Sequence, residues 1–343
     1  MLNHIIEEEI KEKGPLPQSR FMELALQHPL HGYYLSQEAI AQDFTTSPEI
    51  SQVFGELIGI WALDSYMKLG QPKTLSLIEL GPGKGTLMSD LLRATHQSPA
   101  FFKALNIYLI EINPLLKKSQ LKKIHAVAKW VERFEDIPPS SHPTIIIANE
   151  FFDALPTDCY VRQNNVLYKR CIDVKKSKFI FTHVALREDL GSDHIWEESP
   201  ASETLLHEIC AHLLKNPGVF LCIDYGYEQG GGDSLQALFR KKPSNPLSHV
   251  GKSDLTCHVN FGQLKEISLS KGLNVAGPLS QGCFLKNMGL DVRKEMLKNQ
   301  NPSYRTNLEL AAMRLTHPQQ MGTIFKAMAI FSPSILSPVG FTS

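Results

Sequence analysis

The chain has 343 residues, of which 43% are hydrophobic, and its 35 lysines and arginines balance its 35 aspartates and glutamates. This length allows one large domain with insertions or two domains, with enough apolar residues for a sizeable core. Because the formal net charge is zero, no overall field draws the protein to nucleic acid or to an anionic membrane. No apolar run reaches the roughly 20 residues that span a bilayer. We therefore expect neither a nucleic-acid partner nor membrane insertion, and the sequence leaves the oligomeric state open.

The cysteines and histidines show no metal-binding spacing. The six cysteines include no C-x-x-C pair, and several lie in apolar runs, which is typical of reduced core thiols in a cytosolic protein. We expect no metal site. The first 13 residues contain four glutamates, whereas a mitochondrial presequence is rich in arginine and poor in acids. The sequence thus indicates a bacterial cytoplasmic protein, or a mitochondrial matrix protein whose presequence is missing.

The N-terminal part, residues 1–70, is predicted to form a helical cap. Its first two helices are separated by a Gly-Pro-Leu-Pro turn. A third, strongly apolar helix can begin with Ser47 as its cap and Pro48 at its first position. This segment is either a well-capped packing helix or a lid in which the hydroxyl groups of Thr45, Thr46 and Ser47 reach a ligand.

A glycine-rich turn follows a buried strand in the middle of the first half. The apolar run 75–80 predicts the strand, Gly81, Gly83 and Gly85 form the turn, and a helical pattern starts directly after it. Glycine lets the main chain turn tightly and lets a ligand approach it. The spacing G-x-G-x-G differs from the dinucleotide pattern G-x-G-x-x-G. The carboxylate of Glu79 would repel a pyrophosphate but would attract the ammonium and sulfonium of S-adenosylmethionine. A nucleotide cofactor, or a turn without a ligand, stays open as an alternative.

The other strands of a parallel sheet are predicted at residues 107–110, 127–131, 144–148 and 218–223. Glu111 follows the second strand, where an acid can accept hydrogen bonds from ribose hydroxyl groups. Asn149, Glu150 and Asp153 follow the fourth strand, at the sheet edge where open α/β sheets bind ligands. Asp224 and Tyr225 follow the fifth strand and either line an acceptor pocket or simply end the strand.

Several further segments surround this sheet. Alternating residues predict an antiparallel β insertion between the fourth and fifth strands, at residues 158–162, 166–174 and 179–186. The rest is predicted as a helix at 202–214, a segment at 235–242 that could be helical, a polar and aromatic stretch at 254–261, a strand or pair of strands at 275–285, and a tail at 311–331 that is first helical and then apolar. The pattern predicts an α/β fold.

Nine stretches taken together resemble one protein family. They lie at residues 14–17, 31–34, 43–56, 79–87, 149–156, 223–226, 254–261, 281–282 and 321–326. In these stretches the chain resembles the MidA-like methyltransferases, the family of the mitochondrial complex I assembly factor that methylates a protein arginine. The sequence departs from the family pattern at residues 35–42, where we expect a glycine-containing turn and find no glycine.

The resemblance implies a Rossmann-like class I methyltransferase sheet with an N-terminal helical cap and the antiparallel insertion. In this organisation residues 1–70 form the cap and residues 71–343 the methyltransferase domain, with a β-rich substrate subdomain at about 157–200 and a substrate-side extension from about 227. The methyl donor would be S-adenosylmethionine. The residues that would hold it are Thr46, Ser47, Glu79, Gly81, Gly83, Gly85, Glu111 and Asn149.

For mitochondrial members the resemblance implies an arginine of a core complex I subunit as the methyl acceptor. Our hypothesis is that Glu150 and Asp153 bind its guanidinium group, because carboxylates bind guanidinium in bidentate pairs. Alternatively, Asp153 caps the following turn and Glu150 contacts the cofactor amino group. His258 is a candidate proton acceptor, since imidazole titrates near neutral pH. Phe152, with Asp224 and Tyr225, would line the acceptor pocket. A cofactor-binding assembly factor with little turnover is the alternative function.

Overall fold

We describe a computed structural model of the chain over residues 1–35, 45–124, 126–300 and 302–341. Most of the glycine-free segment discussed above lies outside these residues. The strands within them are, in chain order, β1 Leu16–Pro17, β2 Leu75–Leu80, β3 Leu105–Ile110, β4 Ala128–Val131, β5 Thr144–Asn149, β6 Asp158–Gln163, β7 Val166–Lys175, β8 Lys178–Glu188, β9 His194–Glu198, β10 Gly218–Tyr227, β11 Gln236–Phe239, β12 Lys242–Ser244, β13 Asp254–Thr256, β14 Val259–Asn260, β15 Asn274–Ser280 and β16 Phe325–Phe331.

The α-helices are named by their residues. They are Leu2–Lys13, Gln18–Gln27, Ser47–Ile50, Gln52–Lys68, Thr86–Thr95, Pro99–Ala104, Pro114–Lys123, Pro200–Lys215, Phe261–Ser270, Gln281–Asn287, Leu290–Gln300, Arg305–Thr316 and Met321–Ile324. Short 3₁₀ helices occur at Tyr33–Leu35, Phe134–Asp136, Phe152–Ala154 and Pro302–Tyr304. None of the helices within the described residues is long and apolar enough to cross a bilayer.

The chain divides into two compact units. The first comprises residues 1–44, 152–204 and 227–260, and the second comprises residues 45–151, 205–226 and 261–343. The β insertion therefore groups with the two N-terminal helices, whereas residues 45–70 group with the main sheet. A functional division into a cap and a substrate subdomain stays a prediction.

The main sheet belongs to the second unit. Its strands hydrogen-bond in the order β15-β16-β10-β5-β2-β3-β4. Strands β10, β5, β2, β3 and β4 are parallel to one another, and β16 is antiparallel to both β10 and β15. All six residues of β2 are buried, as a central parallel strand requires. The strand order reverses between β2 and β5, which is the switch point where open α/β sheets bind ligands. The predicted α/β fold class is confirmed.

Two glycines allow the helix Gln52–Lys68 to pack closely against the helix Thr86–Thr95. A Cβ atom at Gly55 would lie 2.6 Å from the Cβ of Asp90, and one at Gly59 would lie 3.0 Å from the Cα of Leu91. Both distances are shorter than van der Waals contact, so larger side chains would force the helices apart. Residues of these two helices form much of the core of the second unit, together with the sheet.

A buried glutamate ties three helices of the second unit together. Glu56, which is 2% exposed, accepts hydrogen bonds from Arg93 at 2.6 Å and from Arg293 at 2.7 Å. Burial raises the pKa of this carboxyl group, but the hydrogen bonds from Arg293 and Arg93 outweigh burial and lower the pKa below its ordinary value. The ionised carboxylate is therefore the form that stabilises the fold.

Replacing Glu56 with glutamine should lower the stability of the protein by about 2 kcal/mol at pH 7, since two charge-assisted hydrogen bonds are lost. A group with a lowered folded-state pKa stabilises the fold above its unfolded pKa and loses that contribution as the pH falls through the folded value. Melting temperatures of the wild type and Glu56→Gln should therefore differ at pH 7 and converge as the pH falls from the unfolded value near 4.5 through the lower folded-state value. Glu12→Gln, at an exposed helix position, is the control. An equal difference at both pH values would contradict the ion-pair interpretation.

The first unit consists of two antiparallel sheets and the N-terminal helices. One sheet has the order β1-β7-β6-β9, with β8 also paired to β7, and the other has the order β12-β11-β13. Its core contains Leu2, Ile6 and Phe21 from the helices together with Ile172 of β7 and Leu255 of β13. The predicted insertion strands are thus present, and β9 was not predicted.

Three segments differ from their sequence-based predictions. Residues 235–242 are not helical: β11 and β12 form a hairpin whose turn residues, Arg240 and Lys241, have φ values of 51° and 62°. This is the geometry of a two-residue hairpin turn. The apolar helix after Pro48 is interrupted at Ser51, which is extended and whose hydroxyl group accepts a hydrogen bond from the amide of Val53. Residues 281–287 form a helix after β15 and do not continue a strand.

Candidate active site

The glycine turn begins where β2 ends. Gly81, Gly83 and Gly85 have φ values of 60°, 51° and 76°. Side chains with a Cβ rarely adopt this left-handed backbone conformation, so all three positions favour glycine. Gly85 is the N-cap of the helix Thr86–Thr95, so the turn leads directly into a helix N-terminus.

The space around these glycines separates their roles. A Cβ atom at Gly81 would lie 2.6 Å from the ring of Phe151, and one at Gly85 would lie 3.2 Å from Ile124 and 3.3 Å from Gln120. A Cβ atom at Gly83 would meet no atom within 4 Å among the residues that the structure describes. Packing therefore accounts for the outer glycines, whereas Gly83 faces open space where a ligand can approach the main chain.

Glu79 places a buried carboxyl group in the strand that precedes the turn. The residue is 2% exposed, and its Oε2 makes no hydrogen bond within the described part of the chain. Burial, with a further contribution from the charge of Glu111, raises the pKa of Glu79 to about 8. A buried carboxyl oxygen without a partner is costly, and a cationic ligand would satisfy it and favour its ionised form.

Glu111 is held rigidly at the end of β3. Its Oε1 accepts a hydrogen bond from the amide of Asn113 at 2.8 Å, and its Oε2 accepts one from Nε2 of Gln120 at 3.0 Å. Burial is the main cause of its raised pKa, which the hydrogen bonds from Asn113 and Gln120 partly offset. Asn113 also caps the following helix, Pro114–Lys123. Sequence reasoning did not identify Gln120.

The predicted lid residues lie beside Glu150. The amide of Ser47 donates to Oε1 of Glu150 at 2.7 Å, and Nδ2 of Asn149 donates to the same oxygen at 3.2 Å. Burial raises the pKa of Glu150, although these hydrogen bonds lower it. The hydroxyl group of Ser47 and Oδ1 of Asn149 are buried and make no hydrogen bond within the described ranges. The N-cap residue of the helix Ser47–Ile50 is Thr46, without a side-chain capping bond, so the prediction of Ser47 as the cap was wrong by one residue.

An ion pair connects this short helix to the glycine turn. Glu49 lies 2.9 Å from Nζ of Lys84, which stands between the second and third turn glycines. The segment that contains Ser47 is thereby attached both to the turn and to Glu150. The structure thus brings Thr46, Ser47, Asn149 and Glu150 together within the second unit.

Asp224 supports the same segment from β10. The residue is fully buried, and its carboxylate accepts hydrogen bonds from the amides of Phe151 at 3.1 Å and Tyr225 at 2.9 Å. The ring of Tyr225 packs against Phe325 at 5.4 Å. Asp224 therefore fixes the backbone next to Glu150, and its predicted contact with the acceptor stays a prediction. Phe151, which covers Gly81, was missed because no sequence pattern connects residues 70 positions apart.

The other predicted site residues belong to the first unit. Phe152 and Asp153 form a buried 3₁₀ turn, and the carbonyl group of Asp153 accepts a hydrogen bond from the amide of Cys257. The hydroxyl group of Tyr34 donates to Asp254 at 2.9 Å. Burial, followed by the charges of Asp254 and Asp153, raises the pKa of Tyr34 well above its ordinary value. Asp153 and Asp254 are thus close to the same phenol group.

His258 lies in a hydrogen-bonded network of the first unit. Its backbone amide donates to the hydroxyl group of Ser234 at 2.7 Å, and Ser234 is itself held by Glu197. Nε2 of the imidazole lies 3.3 Å from Nε2 of Gln236. Burial lowers the pKa of His258, so the ring is neutral at pH 7, and its predicted role as a proton acceptor stays a prediction. Within the described residues no group of three His, Cys, Asp or Glu side chains could hold a metal ion.

Residues 57–279 match a family model described as "Putative S-adenosyl-L-methionine-dependent methyltransferase". This match covers more than half of the chain. The chain belongs to this methyltransferase family.

Curated relatives of this methyltransferase carry a more specific name. This chain is 30% identical to protein arginine methyltransferase NDUFAF7, mitochondrial, of Xenopus tropicalis, a match that covers 98% of this chain and 86% of the relative. It is 31% identical to the NDUFAF7 homolog of Drosophila melanogaster, over 96% of this chain and 84% of the relative. These relatives and the family model confirm the family that the sequence motifs indicate.

A solved structure has the same fold as this methyltransferase. The crystal structure of a Burkholderia thailandensis protein bound to S-adenosyl-homocysteine superposes with a TM-score of 0.84 at 23% identity, covering 99% of this chain and 93% of that chain. The match extends over both compact units. It confirms the predicted fold.

The residues around the turn fit the cofactor that the family uses, S-adenosylmethionine. The buried Oε2 of Glu79 can accept a hydrogen bond from a cationic group. Gly83 leaves space for a ligand, and Glu111 lies at the end of β3, where acids bind ribose hydroxyl groups. When bound, S-adenosylmethionine supplies an electrophilic methyl group on a sulfonium. The assignment of individual residues to parts of the cofactor stays a prediction.

Proposed function

We propose that this methyltransferase methylates an arginine side chain of a protein. The name of the NDUFAF7 relatives, which match nearly the whole chain, supports arginine as the acceptor. The resemblance to mitochondrial family members extends the proposal to a core subunit of respiratory complex I or its bacterial equivalent. We further propose that the protein acts in the bacterial cytoplasm, or in the mitochondrial matrix if a presequence precedes this chain.

The conformation of Glu150 is the observation that carries this proposal. Glu150 has a φ of 52° although it is not glycine, and its amide donates to the carbonyl group of Ile223 at 2.9 Å. Residues held in this region cost roughly 1–3 kcal/mol and concentrate at functional sites. Oε1 of Glu150 is held by Ser47 and Asn149, which fixes the orientation of the carboxylate. In our proposal its second oxygen, Oε2, accepts a hydrogen bond from the substrate.

Arginine methylation needs a carboxylate because guanidinium is a poor nucleophile. Its charge is delocalised and its pKa lies above about 12. A carboxylate that binds two guanidinium N–H groups orients the acceptor nitrogen and concentrates electron density on it. In our proposal Glu150 performs this role together with Asp153, three residues further along the chain. The alternative, in which Glu150 contacts the cofactor and Asp153 caps a turn, stays open.

His258 is proposed to accept the proton that the guanidinium group releases. Nε2 of its imidazole lies 3.3 Å from Nε2 of Gln236. Because burial lowers the pKa of His258, the ring is neutral at physiological pH, and a proton taken up at Nε2 displaces the amide of Gln236 from that nitrogen. Phe152, Asp224 and Tyr225 are the proposed substrate-binding residues.

Glu150→Gln should reduce methyl transfer about 100- to 1000-fold, the range found when one electrostatic contact to a reacting group is removed. The affinity for S-adenosylmethionine should stay within about threefold, because the substitution is isosteric and Oε1 keeps its partners. Transfer is measured with radiolabelled S-adenosylmethionine on lysate of a strain that lacks the gene, and mass spectrometry identifies the methylated residue. Glu266→Gln, at an exposed helix position, is the control.

Three outcomes would contradict parts of the proposal. Loss of cofactor affinity in Glu150→Gln would assign Glu150 to the cofactor. Wild-type protein that binds S-adenosylmethionine but labels no protein would favour an assembly factor with little turnover. Label on a residue other than arginine would replace the proposed acceptor and leave the methyltransferase assignment intact.

A further inference from the structure

Gln120 connects two segments of the site that are far apart in sequence. The residue lies on the helix Pro114–Lys123 and is fully buried. Its Nε2 donates to the carbonyl oxygen of Gly83 at 2.7 Å and to Oε2 of Glu111 at 3.0 Å. Both hydrogens of the amide are thus directed at the site, one at the glycine turn and one at the acid after β3.

Trp130 determines which way the amide of Gln120 points. The indole Nε1 of Trp130 lies 2.6 Å from Oε1 of Gln120. An indole N–H can only donate, and a main-chain carbonyl can only accept. Oε1 must therefore face Trp130 and Nε2 must face Gly83. The opposite orientation would set the amide N–H groups against the indole N–H, and the amide oxygen against the oxygens of Gly83 and Glu111. The hydrogen bonds of Gln120 are satisfied in this one orientation.

Gln120 also limits where Glu111 can move. The amide of Asn113 holds Oε1 of Glu111, and Gln120 holds Oε2, so the plane of the carboxylate is fixed. In addition, the Cγ of Gln120 lies 3.3 Å from the position of a Cβ at Gly85, so the helix packs directly against the turn. Loss of the Gln120 amide would release both the carboxylate of Glu111 and the peptide group of Gly83.

We propose that Gln120 is a positioning residue that orients Glu111 toward the ribose of the cofactor and holds the glycine turn in a fixed position relative to Glu111. This inference rests on the proposed role of Glu111 in binding ribose. Gln120 itself does not contact the reacting atoms. It acts through Glu111 and Gly83, and it makes recognition of the ribose hydroxyl groups depend on the helix Pro114–Lys123.

The test compares two ligands that differ only at the ribose, adenosine and 2′-deoxyadenosine. Wild-type protein should bind adenosine about tenfold more tightly, as expected for one hydrogen bond to a charged group. Gln120→Met keeps the length of the side chain but removes the amide, and should reduce this preference to about twofold. Trp130→Phe, which keeps the ring and frees the amide to rotate, should reduce it to an intermediate value. A purely structural role would weaken the binding of both ligands by the same factor.

The outcomes separate the two assignments. If the wild type does not distinguish the two nucleosides, the role of Glu111 is wrong. If the wild type distinguishes them and both variants keep the same preference, the role of Gln120 is overturned. If Gln120→Met does not fold, Trp130→Phe alone decides, because it leaves every hydrogen bond to Glu111 and Gly83 possible but no longer fixes the amide.

Discussion

The affinity of the protein for S-adenosylmethionine should rise steeply between pH 6 and pH 8, and Glu79→Gln should abolish this rise. Burial raises the pKa of Glu79 to about 8, so the carboxyl group is mostly protonated at pH 6. A cationic ligand binds the ionised form, and below pH 8 each pH unit should therefore cost up to about tenfold in affinity. At pH 8.5, Glu79→Gln should bind about 10- to 100-fold more weakly than the wild type, since a charge-assisted hydrogen bond is lost.

The same substitution should make the ligand-free protein more stable at high pH. The folded-state pKa of Glu79 lies above its unfolded value near 4.5. The folded state therefore binds the proton more tightly, and stability is lost as the pH rises from the unfolded toward the folded value. The wild type should lose melting temperature from about pH 5 to pH 8, and Glu79→Gln should lose less. Lower ligand affinity together with higher stability would identify Glu79 as a binding residue and not a structural one.

Calorimetry with two ligands makes this prediction specific. Adenosine has neither an ammonium nor a sulfonium group, so its affinity should change little with pH and with the substitution. Glu208→Gln is the matched control, because burial also raises the pKa of Glu208 on the helix Pro200–Lys215. A pH dependence of S-adenosylmethionine binding that persists unchanged in Glu79→Gln would contradict the role of Glu79.

The sequence was sufficient to predict the strand and turn at the centre of the site. A continuous apolar run can only be a strand or a helix, and the glycines after Leu80 favour the strand. The three turn glycines do have left-handed backbones. Glu111 could be located because an acid after the second strand of such a sheet has a known use. These features are local, so they appear in a short window of sequence.

Features that depend on distant partners could not be predicted. The hydrogen bonds of Gln120 reach residues 37 and 9 positions away, and nothing in a lysine-rich helix indicates a buried amide.

The hairpin turn at Arg240 and Lys241 was not predicted for a local reason. It has two positive φ values but no Asn-Gly or Asp-Gly pair, which is the usual signal. By contrast, the turn at Asn164 and Asn165 also has positive φ values, and its asparagines made it predictable.

The break in the apolar helix at Ser51 also could not be predicted from the sequence. Residues 47–61 have a continuous apolar pattern, which predicts one helix. Serine is tolerated inside helices and is also a favoured cap, so composition alone cannot decide between the two. The structure uses it as a cap, which separates the helix Ser47–Ile50 and places the amide of Ser47 against Glu150.

The most direct test of the central claim, that the turn at residues 81–85 receives S-adenosylmethionine, is the binding affinity of Gly83→Val measured by calorimetry. A Cβ at Gly83 enters open space within the described structure, so the valine side chain should occupy the volume of the ligand. The control is Gly70→Val, because Gly70 also has a positive φ, of 82°, and its Cβ would likewise meet no described atom within 4 Å. Both substitutions carry a similar backbone strain.

We expect Gly83→Val and Gly70→Val to lower the melting temperature by similar amounts. Gly83→Val should also bind S-adenosylmethionine more than about 100-fold more weakly than the wild type, while Gly70→Val should keep wild-type affinity. Folded Gly83→Val protein that binds S-adenosylmethionine as tightly as the wild type would contradict the account.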